Sequence, residues 1–310
     1  MLLNTETITH NKNSFTLYPE RWGIITSIKI RDTELLYQGM LDDTLHDMTK
    51  SVRWGIPILF PNAGFLTDEQ KEFTWWSLPQ HGFARTNEWI VLEDSGYKDS
   101  VILRRWIHPK DEEKPLWSAK EESAQEDEKT EQILRASVWQ KSQLTQSLSS
   151  TDISDMCGYE WQGNIENTII LSDESIELRY CIANNSNKEL PISWWLHPYW
   201  NIPFWDKSAI EWDFIWGDLI ARDIENWSQG GTTRIDTPDD GIVRFTIPWI
   251  GTIELQVSPE FSRLWIWSLP DKWFVCVEPV MWDDGDIVRD PVIISAGSKN
   301  ESVVRITLKQ

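Results

Sequence analysis

Four neighbouring runs decide the fold: Ile242–Ile247 (IVRFTI), Gly251–Val257 (GTIELQV), Arg263–Ser268 (RLWIWS) and Trp273–Glu278 (WFVCVE). Each is rich in β-branched and aromatic residues, and short pieces carrying Pro or Ser separate them, as expected of successive strands. Upstream, Ile176–Ile182 alternates apolar and polar residues, the pattern of a half-buried strand. Thr168–Leu171, 190–195 and 301–308 give further strand signals, and Asn184–Asn187 reads as a turn. Near the N-terminus, Phe15–Tyr18, Ile24–Ile30 and Glu34–Tyr37 are short candidates, and Ile90–Leu92 and Val101–Leu103 flank a Ser95-Gly96 turn. These segments lack both a long 3.6-residue period and a fixed repeat. The pattern predicts an all-β chain folded as a large antiparallel β-sandwich.

The 310 residues are 40% apolar and 25% charged, enough for a sizeable core in one large β domain spanning 1–310. Residues 109–158 differ. Stretch 111–131 holds nine acids and three lysines, and Ser and Gln dominate as far as 154. Such a composition buries too little apolar surface to offset its ordering entropy, so it reads as an acidic, flexible surface insertion with a helix candidate at 131–148. With 29 basic against 49 acidic residues the formal charge is −20, which argues against nucleic acid and anionic membranes as partners. It still permits a small anionic ligand held by a local arginine cluster. No apolar run approaches the ~18 residues of a membrane span. Met1–Glu6 lacks a basic region followed by an apolar stretch, so a cytoplasmic location is expected. Cys157, Cys181 and Cys276 are far apart, and no Cys/His metal-ligand spacing is present, so reduced thiols and no metal are expected.

Three islands carry polar side chains on stiff backbone. Val52–Gly64 (VRWGIPILFPNAG) contains Arg53 between turn-forming Pro and Gly residues, and Leu78–Arg85 (LPQHGFAR) contains His81 and Arg85. Two arginines and a histidine in such settings suit an oxygen-rich ligand. In Leu196–Pro203 (LHPYWNIP), His197 precedes a proline and is biased to extended backbone. Farther on, Glu278 ends the apolar run Phe274–Pro279 (FVCVEP). Partial burial there would raise its pKa toward the range of a general base near neutrality.

In this order the islands resemble the aldose 1-epimerase family, whose fold is the galactose mutarotase-like supersandwich. The likeness is strongest to the hexose-6-phosphate epimerase branch, with its R-G-G-I-P, L-P-Q-H-G-F-A-R, H-P-Y-F and late E-P segments. The eight-residue match at Leu78–Arg85 is the most specific, and the resemblance covers the chain outside about 109–160. It implies His197 as general acid, Glu278 as general base, His81 as a contact near the sugar ring oxygen, and Arg53 and Arg85 lining the pocket, where they would hold a phosphate. It further implies an aspartate on the sugar hydroxyls. Asp236 is the candidate taken, with Asp206 and Asp213 as alternatives. The implied reaction is cofactor-free anomer interconversion of an aldohexose or hexose 6-phosphate. A non-catalytic sugar-binding protein on the same fold is the alternative, and a glycoside-cleaving enzyme would need a second carboxylate. Oligomeric state is not legible.

One count is abnormal: 21 Trp against 15 Gly, the latter about 5% where ~7% is usual. Trp54 stands where the family pattern has glycine, and Trp22, Trp195, Trp249 and Trp273 occupy places where small turn residues would be natural. Trp54 would crowd the pocket. Three accounts compete: a genetic code reading UGA as glycine but translated on paper as Trp, genuine tryptophans with adapted turns, and a cleft that stacks aromatic rings on sugar. Trp267, inside a strand-like run, reads as genuine.

Overall fold

The long strands are those whose residues alternate most cleanly. In the computed structural model, which describes residues 3–92, 99–107, 161–203, 207–214, 216–224, 232–281 and 287–309, they build an eight-stranded antiparallel sheet. Its order is β13 (Glu211–Trp212), β15 (Ile242–Ile247), β16 (Gly251–Val257), β20 (Lys299–Lys309), β9 (Ser175–Asn184), β8 (Gly163–Leu171), β7 (Ser100–Trp106) and β6 (Ile90–Leu92). Along β8 every second residue is buried, as a strand with one face on a core requires.

A second antiparallel sheet runs β14 (Thr232–Asp236), β17 (Arg263–Trp267), β18 (Phe274–Val280), β11 (Trp195–Leu196) and β5 (Ile58–Leu59), with β12 (Tyr199–Asn201) also on β18. Beside these lie a four-stranded sheet, β1 (Glu6–His10), β2 (Asn13–Tyr18), β3 (Ile24–Ile30) and β4 (Thr33–Glu34), and a short pair, β10 (Leu190–Ile192) with β19 (Val292–Ile294). Inner residues of the large sheet, such as Ile169, Leu178, Phe245, Leu255 and Ile306, share one core with Leu264, Ile266, Val275 and Val277 of the second sheet. The architecture is the expected all-β antiparallel sandwich.

Strand β18 (FVCVEPV) is buried along its whole length, and its two faces do different work. Val275 and Val277 enter the main core. Phe274 and Cys276 join a second cluster with Tyr199 and Trp54, and Val280 joins a third with Trp195 and Leu59. Glu278 stands between these two outer clusters, on the face turned away from the large sheet. That face carries the site.

Several sequence expectations shift. The 190–195 run divides into β10 and β11, and Glu34–Tyr37 contracts to a two-residue strand, with Leu36 making an isolated bridge to Trp200. Short helices that the pattern does not predict occur at Leu41–Thr44 (α1), Asp68–Thr74 (α2) and Gly217–Ile224 (α3). α2 begins with a reciprocal capping box between Thr67 and Gln70. The insertion at 109–158, its helix candidate, the Ser95-Gly96 turn and Cys157 lie outside the described residues. Among the described residues Cys181 and Cys276 are free thiols, and no helix is long and apolar enough to cross a membrane.

Candidate active site

Backbone hydrogen bonds bring the sequence islands together. The 55–59 segment runs antiparallel along 195–199: Trp195 pairs with Leu59 and Leu196 with Ile58, while the N–H groups of His197 and Tyr199 donate to the carbonyls of Pro57 (3.3 Å) and Gly55 (2.9 Å). On its other side this segment meets β18, with Trp195 opposite Val280 and Tyr199 opposite Cys276. Continuing the register from either end sets His197 across from Glu278. Pro198, which has no N–H, interrupts the ladder there and divides β11 from β12.

The second island hooks onto the first. The N–H groups of Phe83 and Ala84 both donate to the Phe60 carbonyl (2.8 and 3.2 Å), and Asn62 Nδ2 donates to the carbonyls of Gly64 and Pro79 (2.8 and 3.0 Å). Gly82 is required: its φ is +63°, and a Cβ there would lie 1.9 Å from the Phe60 oxygen. His81 is itself left-handed at φ 70°. Its Nδ1 lies 2.8 Å from the Ala63 carbonyl. A carbonyl only accepts, so Nδ1 carries the proton and Nε2 is left as an acceptor.

These residues line a cavity of about 280 Å³, near the lower end of the ~300–1,000 Å³ usual for small-molecule clefts. Arg53, His81, Arg85, His197 and Glu278 all border it. Side chains not singled out as site residues complete it: Gln80, Tyr199, Thr232 and an aromatic wall of Trp195, Trp265 and Trp267. Tyr199 stacks on the His197 ring (centroids 4.7 Å, 14°) and Trp267 meets it edge-on (5.8 Å). The signal for Tyr199 was in the sequence, two residues beyond His197 and so on the same strand face. Thr232 carried no such signal.

The chemistry centres on one pair. His197 Nε2 lies 3.4 Å from Glu278 Oε1, with the side chains 10% and 2% exposed. Burial pushes the Glu278 carboxyl well above its ordinary range. Burial, and then the positive charge of Arg85 and Arg53, pushes His197 down to about 3. Both effects favour the uncharged forms of the two groups. His81 is lowered by burial and by Arg85 and His197. Arg85 is lowered by burial. His197, Cys276 and Glu278 place ligand atoms within 4.8 Å of one another, the one such group among the described residues that could hold a metal ion. A metal there would take both proton carriers out of acid–base use.

Asp236 is not brought to this cavity. It shares a strand face with Thr232 but sits at the other end of β14, about 13 Å farther at ~3.3 Å per residue. It pairs with Arg263 and lines a different groove, together with Asp213. Asp206 lies outside the described residues. A larger groove of about 610 Å³, bordered by Asp239, Asp240 and Pro259, lacks any acid–base pair. Trp54 does not crowd the cavity either. It is fully buried behind it in the Tyr199–Phe274 cluster, where its indole N–H donates to Thr44 Oγ1 (2.6 Å). Trp195 belongs to strand β11 rather than to a turn, and Trp273 precedes β18.

No family model and no curated protein matches this chain in sequence. Solved structures do match in shape. The Slr1438 protein from Synechocystis sp. PCC 6803 superposes with a TM-score of 0.73 at 19% identity, covering 100% of this chain and 96% of that one. A galactose mutarotase-like protein from Lactobacillus casei gives 0.62 at 18% identity, covering 99% and 100%. A galactose mutarotase related enzyme from Lactobacillus acidophilus gives 0.61 at 15% identity, covering 99% and 98%. The chain has their fold.

Proposed function

We propose that this chain is an aldose 1-epimerase, a mutarotase that interconverts the α and β anomers of an aldohexose or a hexose 6-phosphate. The observation that carries the proposal is the buried His197–Glu278 pair, 3.4 Å apart in a monosaccharide-sized cavity lined by Arg53, His81 and Arg85.

The reacting form of the pair has the proton on His197 and Glu278 ionised, the minor form given the shifts above. Glu278 takes the proton of the C1 hydroxyl. The C1–O5 bond breaks with its electron pair going to O5, which takes the proton from His197. The product is a free aldehyde. Rotation about C1–C2 presents the other carbonyl face. On closure His197 recovers the O5 proton, O5 attacks C1, and Glu278 returns its proton to O1. Each positioned proton transfer is worth ~10²–10⁴ in rate. His81 Nε2 accepts from a sugar hydroxyl, and the guanidinium groups of Arg53 and Arg85 suit ring oxygens or a phosphate.

A protein that only binds sugar would also use the Trp195, Trp265 and Trp267 wall, but it has no need of a buried histidine–glutamate pair. Glycoside cleavage needs two carboxylates, and Glu278 is the single carboxylate among the described residues lining the cavity.

The test is anomeric exchange followed by NMR, offering D-glucose, D-galactose and glucose 6-phosphate separately under conditions where spontaneous mutarotation is slow. Acceleration confined to the phosphate, and lost in Arg53→Met and Arg85→Met, assigns the arginines to phosphate. Acceleration of the free sugars makes the chain a general aldose epimerase. No acceleration with any of them, in folded protein that still binds sugar, supports the binding-only reading.

A further inference from the structure

Left-handed backbone is where a bulky residue needs a reason to stand. Among the described residues eight non-glycine positions have positive φ. Five are Asn11, Arg31, Asp32, His81 and Asp99, largely the short polar types that tolerate this region. The other three are tryptophans: Trp22 (67°), Trp75 (60°) and Trp249 (71°).

Each of the three occupies a backbone slot built for glycine. Trp22 and Gly23 (φ 64°) are the two central residues of the turn between β2 and β3, with Ile24 N–H on the Arg21 carbonyl (3.3 Å). Two successive positive φ values are the pattern of a type I′ turn, which calls for Gly, Asn or Asp at both central positions. Trp75 ends α2 in the left-handed conformation, its N–H on the Lys71 carbonyl (2.8 Å), the usual place of a helix-terminating glycine. Trp249 follows Pro248 between β15 and β16, with Ile250 N–H on the Ile247 carbonyl (3.1 Å). Proline followed by a left-handed residue is the type II pattern, whose second central position favours glycine. Packing gives the two exposed rings no reason to stand there, while Trp22 is buried among Ile24 and Tyr37 with the Arg21 guanidinium 3.7 Å from its ring. Trp75 and Trp249 are 86% and 90% exposed. Trp22 is buried, but its indole N–H has no acceptor.

We propose that positions 22, 75 and 249 are glycine in the protein as its own cells make it, their codons being UGA read as glycine. The count of 21 Trp against 15 Gly has the same direction. Trp54 and Trp267 have ordinary φ and are outside the proposal.

The experiment is to sequence codons 22, 75 and 249 and map the same peptides by mass spectrometry in protein from the source cells. UGA at all three, with glycine masses, is expected. UGG codons, or tryptophan masses over UGA, overturn the proposal. A second measurement compares Trp75→Gly/Trp249→Gly with the chain as written, both made in a host with the standard code. A higher melting temperature for the glycine form is expected, and a lower one contradicts the strain argument.

A separate observation concerns Arg21. Its side chain is fully buried, yet its hydrogen bonds go to backbone rather than to a carboxylate. Nη2 donates to the carbonyls of Thr44, Asp47 and Lys50 (2.9, 3.0 and 3.0 Å), and Nη1 approaches Met48 Sδ (3.2 Å). One guanidinium thus gathers the 44–50 excursion, and the chain leaves it directly into Ser51, Val52 and Arg53 on the cavity rim. The geometry points to Arg21 as a positioning residue for that rim, an inference resting on the proposed sugar site. Burial lowers its pKa to about 10, so it stays charged at neutral pH.

Hydrogen exchange and exchange kinetics on Arg21→Met and Arg21→Lys test this. In Arg21→Met, amides of 44–53 lose protection and the KM for sugar rises several-fold with a smaller change in kcat; Arg21→Lys recovers part of the KM. Unchanged protection over 44–53 overturns the clamp, whether or not the wild-type chain turns sugar over. Lost protection with unchanged KM overturns the link to the rim.

Discussion

At the scale of single residues the proposed reaction turns on His197 and Glu278. Burial pushes His197 below the ordinary histidine range and Glu278 above the ordinary carboxylate range. Exchange activity measured against pH should therefore show a broad plateau through neutrality. It falls on the acid side when a second proton is loaded and on the alkaline side when the last is lost. A narrow peak set by the unperturbed values, near 4.5 and 6.5, would contradict these shifts. Stability follows from the same shifts. A carboxyl whose pKa is raised on folding contributes most below its unfolded value, and that contribution is lost as pH rises through the folded value. Glu278→Gln removes the charge that must be buried, so its melting temperature should exceed the wild type's at pH 8 and match it near pH 4. Of the site residues, Glu278 was legible because an acid inside an apolar run must be buried or turned outward at cost. Asp236 was not, because only the register of β14 against β17 shows which end of the strand reaches the cavity.

At the scale of elements the site is a matter of register. The segments 55–59, 195–199 and 274–280 lie side by side, and the Leu78–Arg85 island is hooked onto the first through the Phe60 carbonyl. A one-residue slip in any of them would send His197 or Glu278 to the opposite face. Gly82→Ala tests the hook. The added methyl meets the Phe60 carbonyl oxygen and the backbone is left-handed, so Phe60 or the 81–84 turn must move and carry His81 with it. Exchange activity should drop at least tenfold, with a lowered melting temperature; a variant of unchanged activity would show that the hook does not place His81. Strand identities were legible wherever alternation or β-branched runs were long, as in β3, β9, β15 and β16. The helices were not: α2 spans seven residues and α3 eight, too short for a 3.6-residue period to declare itself. Strands of two residues, such as β5 and β11, are defined by their partners and not by their own sequence.

For the whole molecule, the sandwich core is the platform that holds the outer face of β18 in place. Leu178 on β9 is fully buried in that core and far in sequence from the site islands. Leu178→Ala should cost about 2–5 kcal/mol in denaturant unfolding. At temperatures where the variant remains folded, its exchange activity should be close to wild type, since the cavity lining is untouched. A stability loss well under 1 kcal/mol would mean that this face does not form the core. The sandwich was legible from strand density and turn spacing, and the expectation for His197 and Glu278 from the resemblance that their two islands carry. The aromatic wall was not, because three tryptophans on two non-sequential strands converge only once the sheet is formed.

The most direct measurement is anomeric exchange by NMR with the wild-type chain, Glu278→Gln and His197→Asn, using whichever of glucose, galactose and glucose 6-phosphate the wild type accelerates best. The account predicts that both variants bind the sugar and lose at least a hundredfold in exchange rate. Exchange that persists in Glu278→Gln at near the wild-type rate would contradict the assignment of the His197–Glu278 pair as the catalytic centre.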